Sequence, residues 1–362
     1  MDFQQIEYFL AHDPLSLFIT IPVLLLFFYL LHFFSEHYFI PSLDKIGDKL
    51  KMSSDISGST LMAIGSSAPE LAVMLISVFK SGNHEAIGIG TIVGSALFNL
   101  FVITGSVMVV MNRARLVWQP LIRDLLFYAI SVIILIYFFK DNYIELWEAT
   151  VFVVIYLVYI AALYFWKKIF PYKDIEKNEM DEPDTNSLNR YEKFAFKLLH
   201  FNIYLVFFLS IVVIGILSWL LVEIAILIAS VLQVPEFIVA LTIIAIGTSI
   251  PDLVSSVIVA KKGRAGMAIN NGIGSNIFDI LIGLGVPILS MLIWTSQKKV
   301  NVSAADINLA FVFLMGSLII LTALFVFGKW KTKRSTGYLL IGLYLFYLLY
   351  EIMCEIGKTF CF

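Results

Sequence analysis

Ile243–Pro287 reads IIAIGTSIPDLVSSVIVAKKGRAGMAINNGIGSNIFDILIGLGVP: an apolar stretch that nevertheless holds two aspartates, several hydroxyls and many glycines. The same pattern occurs earlier, in Leu61–Gly105, LMAIGSSAPELAVMLISVFKSGNHEAIGIGTIVGSALFNLFVITG. AIGSSAPE from Ala63 to Glu70 matches AIGTSIPD from Ala245 to Asp252, and GSALFN from Gly94 to Asn99 matches GSNIFD from Gly274 to Asp279. The two offsets are 182 and 180 residues. A repeat that twice places an acid in hydrophobic sequence points to a binding site built from two halves.

The rest of the chain sets that repeat in a membrane. Of 362 residues, 60% are hydrophobic and 14% charged, where soluble domains carry about 25% charged residues. Apolar runs of about 20 residues recur from end to end, which makes the chain a polytopic membrane protein. A net charge of −2 says nothing about nucleic-acid or acidic partners, none of which is expected, and the partner that composition implies is the lipid bilayer. Cys354 and Cys361 form no metal or redox motif. The first apolar run, Leu15–Phe34, has no basic flank before it and reads as a first span rather than a signal peptide.

Ten helices fit the hydropathy: 15–40, 55–80, 86–111, 118–139, 144–167, 199–232, 236–260, 267–294, 304–328 and 337–356. The first and sixth exceed the roughly 20 residues that a perpendicular span needs, so tilt is expected. With the connection between the first two helices inside, 20 Lys and Arg fall inside and 5 outside. The positive-inside rule then places both termini outside and the polar segment 169–198 in the cytoplasm. That segment mixes acids with lysines, lacks an EF-hand pattern, and reads as a tether between a first membrane region, 1–168, and a second, 199–362. Five helices per half is an odd number, so the fold class expected is all-α with two inverted five-helix repeats.

The repeats carry oxygen chemistry. Pro69 and Pro251 each precede an acid and cannot donate to the carbonyls of Gly65 and Gly247, so each motif is expected to be a broken or kinked helix. Ser66 and Ser67 precede Glu70 by four and three residues, and Thr248 and Ser249 stand in the same relation to Asp252. Ser95 lies four before Asn99, and Ser275 four before Asp279, so helical spacing puts each pair on one face. The resulting clusters offer oxygen alone, without His or Cys, which suits Ca²⁺, Mg²⁺ or Na⁺. Single hydroxyls in such helices commonly bond their own backbone, and the glycines at 88, 90, 94, 272 and 274 equally suit close helix packing or ion access. Intramembrane carboxylates are costly, which marks Glu70, Asp252 and Asp279 as functional. Glu36, Arg123, Asp124 and Glu223 lie nearer the interfaces and suit structural pairs.

At these residues the chain resembles the calcium/cation antiporters, and specifically the potassium-dependent sodium/calcium exchangers. GSSAPEL at 65–71, GTSIPD at 247–252 and GSNIFDILIGLG at 274–285 are similar to the signatures of the two alpha repeats, here about 61–105 and 243–287. HYFIPSL at 37–43 and the stretch from Arg123-Asp124 to Trp147-Glu148 extend the likeness. The middle segment is much shorter than in animal members. The resemblance implies Glu70 and Asp252 as central calcium carboxylates, completed by Ser66, Ser67, Thr248, Ser249, Ser95, Ser275, Asn99 and Asp279. It implies a secondary active antiporter of multi-pass type in the plasma membrane, without enzymatic activity or cofactor, exchanging Ca²⁺ for Na⁺ by alternating access, with K⁺ as co-transported ion. The alternatives are a Ca²⁺/H⁺ antiporter, an intramembrane aspartyl protease using Asp252 and Asp279, and a passive cation channel. Oligomeric state is not legible in the sequence.

Overall fold

Long apolar runs that must satisfy every backbone group without water become helices. The computed structural model describes residues 17–39, 41–42, 45, 56, 58–81, 84–172, 202–302 and 307–357. Both termini, and all but the start of the expected tether, lie outside the described residues. The helices are α1 (Phe18–Phe39), α2 (the bent pair Ser59–Ser66 and Ala68–Phe79), α3 (Glu85–Val110), α4 (Trp118–Asp141), α5 (Leu146–Ile169), α6 (Ile203–Leu232), α7 (Glu236–Lys261), α8 (Ala265–Thr295), α9 (Leu309–Phe327) and α10 (Arg334–Gly357). Among the described residues, eight are long and apolar enough to cross a membrane, or nine with α2 as one bent span; α10 is the remaining helix.

The repeat seen in the sequence reappears in the backbone. π turns open α2 at Gly58–Met62 and interrupt α7 at Ala240–Ile244, positions 182 residues apart. Two more, Asn99–Ile103 in α3 and Asp279–Leu284 in α8, begin 180 residues apart, each on the last residue of the matched GSALFN and GSNIFD motifs. A π turn inserts a residue into the helical ladder and recurs at functional sites. Ser67 and Ser249 break the next helices at nearly identical dihedrals, φ −88°, ψ 7° and φ −85°, ψ 2°. Pro69 and Pro251 then sit in the first turn of the following segments, where a missing N–H is tolerated. The break bends α2 by 53°, whereas α7 runs on as a single span, so the expected pair of kinks is one sharp bend and one interruption.

α3 and α8 form the centre. Gly94 of α3 lies on the π turn of α7, where an added Cβ would come within 2.2 Å of the Leu241 carbonyl. Its repeat partner Gly274 of α8 lies on the π turn of α2, 2.8 Å from the Ser59 carbonyl by the same measure. For these two glycines the packing role is the one observed. α1 and α6 pack together at the periphery, with Leu24, Phe28 and Leu31 against Ile214, Leu217 and Leu221. Their outer faces expose Phe18, Leu25, Phe208 and Trp219, as expected of lipid-facing helices.

The all-α expectation needs one amendment. Tyr143–Glu145 (β1) pairs antiparallel with Lys299–Asn301 (β2), with Ile144 opposite Val300 and both buried. Three-residue strands leave no mark in a hydropathy reading. This ribbon ties the α4–α5 connection to the α8–α9 connection. At the other end of α4, Arg115 and Lys331 form an antiparallel bridge that ties the α3–α4 connection to the α9–α10 connection. The first half is therefore stitched to the second at both ends of α4.

Candidate ion-binding site

The broken helices bring three carboxylates to one buried place. Glu70 and Asp252 lie in the first turns of the segments that follow Ser67 and Ser249, where the helix dipole favours negative charge. Asp279 opens the π turn of α8. Glu70, Asp252, Asp279, Ser66, Ser67, Ser95, Asn99, Thr248, Ser249 and Ser275 are all fully buried.

The bonding crosses between the halves. Ser249 Oγ of α7 donates to Glu70 Oε1 of α2 at 3.1 Å. Asn99 Nδ2 of α3 donates to Asp252 Oδ2 of α7 at 3.1 Å. Within each half, Ser95 Oγ stands 3.5 Å from Glu70 Oε1, and Ser275 Oγ donates to Asp252 Oδ1 at 3.1 Å. Ser95 Oγ also stands 3.3 Å from Asp279 Oδ2. One hydroxyl thus lies between two carboxylates and has a single proton to give. Glu70 Oε2, Asp279 Oδ1, Asn99 Oδ1 and Ser67 Oγ are buried without a hydrogen-bond partner. Buried oxygens are normally satisfied, and such a set left over in one place is what a hard cation would satisfy.

Not every expected pairing forms. Ser275 Oγ donates to Asp252 of α7 rather than to Asp279, although the backbone bond from Asp279 N–H to Ser275 O keeps the two on one helical face. Ser66 and Thr248 donate to the backbone carbonyls of Met62 and Ile244, at 2.8 and 3.1 Å, as intramembrane hydroxyls commonly do. Among the described residues, no group of three or more His, Cys, Asp and Glu forms a compact metal cluster.

Asn276 escaped the sequence reading. It accepts from Asn99 Nδ2 at 3.0 Å and donates to the Ala96 carbonyl at 2.9 Å, fixing the amide that reaches Asp252. Its repeat partner is Ala96 itself, so a search for matched polar pairs passes over it. Arg123 and Asp124 form a buried pair at 2.7 Å that also binds Ser59, whose hydroxyl donates to Asp124 at 2.8 Å, and the Tyr159 hydroxyl at 3.1 Å. This network secures the π turn against which Gly274 packs. Glu223 pairs with Lys80 at the end of α2 and has no part in the carboxylate cluster.

Known proteins resemble this chain over most of its length. The chain is 28% identical to sodium/potassium/calcium exchanger 2 of Gallus gallus over 88% of its length and 75% of the relative's. It is 27% identical to sodium/potassium/calcium exchanger 5 of Homo sapiens, over 89% of this chain and 80% of that one. Among solved structures, the sodium-calcium exchanger NCX_Mj, soaked with Na⁺ and Sr²⁺, superposes with a TM-score of 0.60 at 26% identity, covering 91% of this chain and 98% of that one. The H⁺/Ca²⁺ exchanger CAX superposes with a TM-score of 0.69 over 94% and 86% of the two chains at 15% identity, a likeness of fold. These relatives are exchangers and not enzymes, which removes the protease reading of Asp252 and Asp279. The model of the sodium/calcium exchanger protein family matches residues 20–165 and 202–353, and the chain belongs to that family.

Proposed function

We propose that the chain is a secondary active antiporter that exchanges Ca²⁺ for Na⁺ and carries K⁺ together with Ca²⁺. In this reading the ten helices each cross the bilayer as two inverted five-helix repeats, with both termini outside and residues 169–198 in the cytoplasm. The plasma membrane is its site of action. The observation that carries the proposal is the meeting of Glu70, Asp252 and Asp279 with hydroxyl and amide oxygens from both halves, all away from solvent. The names of the relatives supply the choice of ions.

The chemistry follows from charge. Three ionised carboxylates in a buried site are costly, and an empty, fully charged site is the state least able to pass through occlusion. One divalent ion with one monovalent ion, or several monovalent ions, offsets that charge. Both loads need the same oxygens, so occupancy is mutually exclusive. Only a neutralised site rearranges to face the other side, which couples the two fluxes. An inward Na⁺ gradient then expels Ca²⁺.

A Ca²⁺/H⁺ antiporter is the second reading, favoured by the fold shared with the H⁺/Ca²⁺ exchanger. It requires that protons on Glu70 and Asp252 replace Na⁺. The hydroxyl-rich shell favours the metal ion, since a carboxylate needs no hydroxyl ligands to take up a proton. The deciding experiment is ⁴⁵Ca²⁺ uptake into proteoliposomes under imposed Na⁺, K⁺ or H⁺ gradients. Uptake driven by an outward Na⁺ gradient and stimulated by external K⁺ is expected. Uptake driven by a pH gradient alone establishes the proton reading, and Ca²⁺ flux independent of every counter-gradient establishes a channel.

A further inference from the structure

The connections that stitch α3–α4 to α9–α10 are uniformly basic. Between Met111 and Val117, and between Gly328 and Arg334, lie Arg113, Arg115, Lys329, Lys331, Lys333 and Arg334, with no acidic residue. The two segments are held in register by backbone bonds: Arg113 N–H to Thr332 O at 3.0 Å, Thr332 N–H to Ala114 O at 3.0 Å and Leu116 N–H to Trp330 O at 2.9 Å. Arg113, Lys329 and Trp330 take left-handed conformations, with φ of 65°, 53° and 57°, which non-glycine residues seldom adopt. Structure therefore holds these cations together against their mutual repulsion.

They surround a cavity of about 550 Å³ lined by Asn112, Arg113, Arg115, Lys331, Lys333 and Arg334, within the range of ligand pockets (roughly 300–1,000 Å³). None of these cations makes a salt bridge among the described residues. Arg334 opens α10, its N–H donating to Asn112 Oδ1 at 3.2 Å and its Nε to the Val109 carbonyl at 3.1 Å, and the dipole of that helix adds to the positive potential. The cavity is thus complementary to a compact anion.

The flanks say where that anion comes from. Trp118 follows Arg115 by three residues, Phe327 precedes Lys329 by two, and Tyr338 follows Arg334 by four; they are 45%, 85% and 60% exposed. Exposed aromatics beside cations mark the headgroup level of a bilayer. Basic pockets between helices at that depth suit lipid phosphates. We propose that this cavity binds the phosphate-bearing headgroup of an anionic membrane lipid, whose acyl chains lie along the apolar faces beside Phe327 and Trp118. The orientation given under Proposed function assigns it to the cytoplasmic leaflet, while the binding itself requires no transport activity. The bound headgroup would brace the joint between α3 and α10, where the backbones of Gly105 and Gly337 approach so closely that a Cβ on Gly337 would meet the Gly105 carbonyl at 2.4 Å. Because α3 also carries Ser95 and Asn99, the lipid would act on a helix whose side chains reach the acids of both halves, Glu70 and Asp252.

The test uses the full chain in nanodiscs of phosphatidylcholine with phosphatidylglycerol, followed by native mass spectrometry of retained lipid. The native protein is expected to retain phosphatidylglycerol selectively. The triple variant Arg113→Gln/Lys331→Gln/Arg334→Gln is expected to lose about a hundredfold in that retention, since each basic residue near anionic lipid contributes about a factor of five. Lys261→Gln/Lys262→Gln, which neutralises basic residues on the same face but outside the cavity, is expected to lower retention much less than the triple variant does. Equal retention by the triple variant overturns the proposal, as does an equal loss in the Lys261/Lys262 control. If inorganic phosphate alone, in detergent, raises the melting temperature as much as phosphatidylglycerol does, the site takes a soluble anion and the lipid assignment fails. Should the triple variant not fold, Lys333→Gln alone, at an exposed side chain, is expected to lower retention about fivefold, and unchanged retention overturns the assignment.

Discussion

The side-chain amide of Asn99 donates to Asp252 across the two halves at 3.1 Å. Under the repeat relation, Asn99 maps to Asp279 and Asp252 maps to Glu70. The matched pair therefore consists of two carboxyl groups, neither of which donates when ionised. Where one half of the site satisfies itself by an amide, the other lacks a positive charge, and only the Ser95 hydroxyl stands between the two acids. This broken symmetry leaves Glu70 and Asp279 without an amide donor between them, and under the proposed function a cation is expected there.

Neutralising the central acids tests the site directly. Glu70→Gln and Asp252→Asn are each expected to reduce Na⁺-driven Ca²⁺ flux at least about a hundredfold, because a charged hydrogen-bonding ligand in a dry site is lost. Removing an uncompensated buried charge relieves the protein without ions, so its melting temperature is expected to hold or rise. Near-normal flux from either monodisperse variant removes that residue from the site.

Asp279→Asn restores the symmetry, since an amide at 279 has a proton to offer Glu70. The expected outcome is Ca²⁺ exchange that survives while its dependence on K⁺ disappears. Flux with K⁺ replaced by choline, measured in the native protein and the variant, checks this. Native flux indifferent to K⁺ refutes co-transport, and equal dependence in both proteins shows that Asp279 is the wrong residue.

The hydroxyls differ in weight. Ser95→Ala removes the group between Glu70 and Asp279 and is expected to weaken Ca²⁺ binding about tenfold, corresponding to one hydrogen bond to charged groups, about 1.5 kcal/mol. Ser66→Ala, which mainly frees a bond to the Met62 carbonyl, is expected to cost much less. Isothermal titration on both variants separates them, and equal losses contradict the geometry.

Helix packing gives a test independent of transport. Gly94→Ala and Gly274→Ala each drive a methyl into backbone rather than a movable side chain. Each is expected to destabilise by about 1–3 kcal/mol or more. Gly272→Ala meets nothing nearer than 3.5 Å and is expected to be tolerated. Thermal unfolding in detergent ranks the three, and a Gly94→Ala protein as stable as the native one contradicts the close approach of α3 and α7.

Much of this was readable before any coordinates. Hydropathy located the ten helices to within a few residues, because a bilayer leaves the backbone little choice. Repetition located the acids. What sequence spacing lacked was the choice of partner: Ser275 shares a helical face with Asp279 and yet donates to Asp252 of α7. Spacing within one helix also says nothing of partners across helices, so the bonds from Ser249 to Glu70 and from Asn99 to Asp252 were invisible. Asn276 was hidden for a simpler reason, since its repeat mate is an alanine. Arg123 and Asp124 read as a structural pair and are one, although their hold on Ser59 belongs to the tertiary fold.

The double stitch between the halves bears on what happens when the covalent link between them is lost. The β1–β2 ribbon at one end of α4 and the Arg115–Lys331 bridge at the other are joined by the close packing of α3 on α7 and of α8 on α2. A chain cleaved between residues 172 and 202 therefore keeps its two fragments as one particle, co-migrating in detergent and separating only on denaturation. Two genes, each encoding one half, would suffice to rebuild the whole.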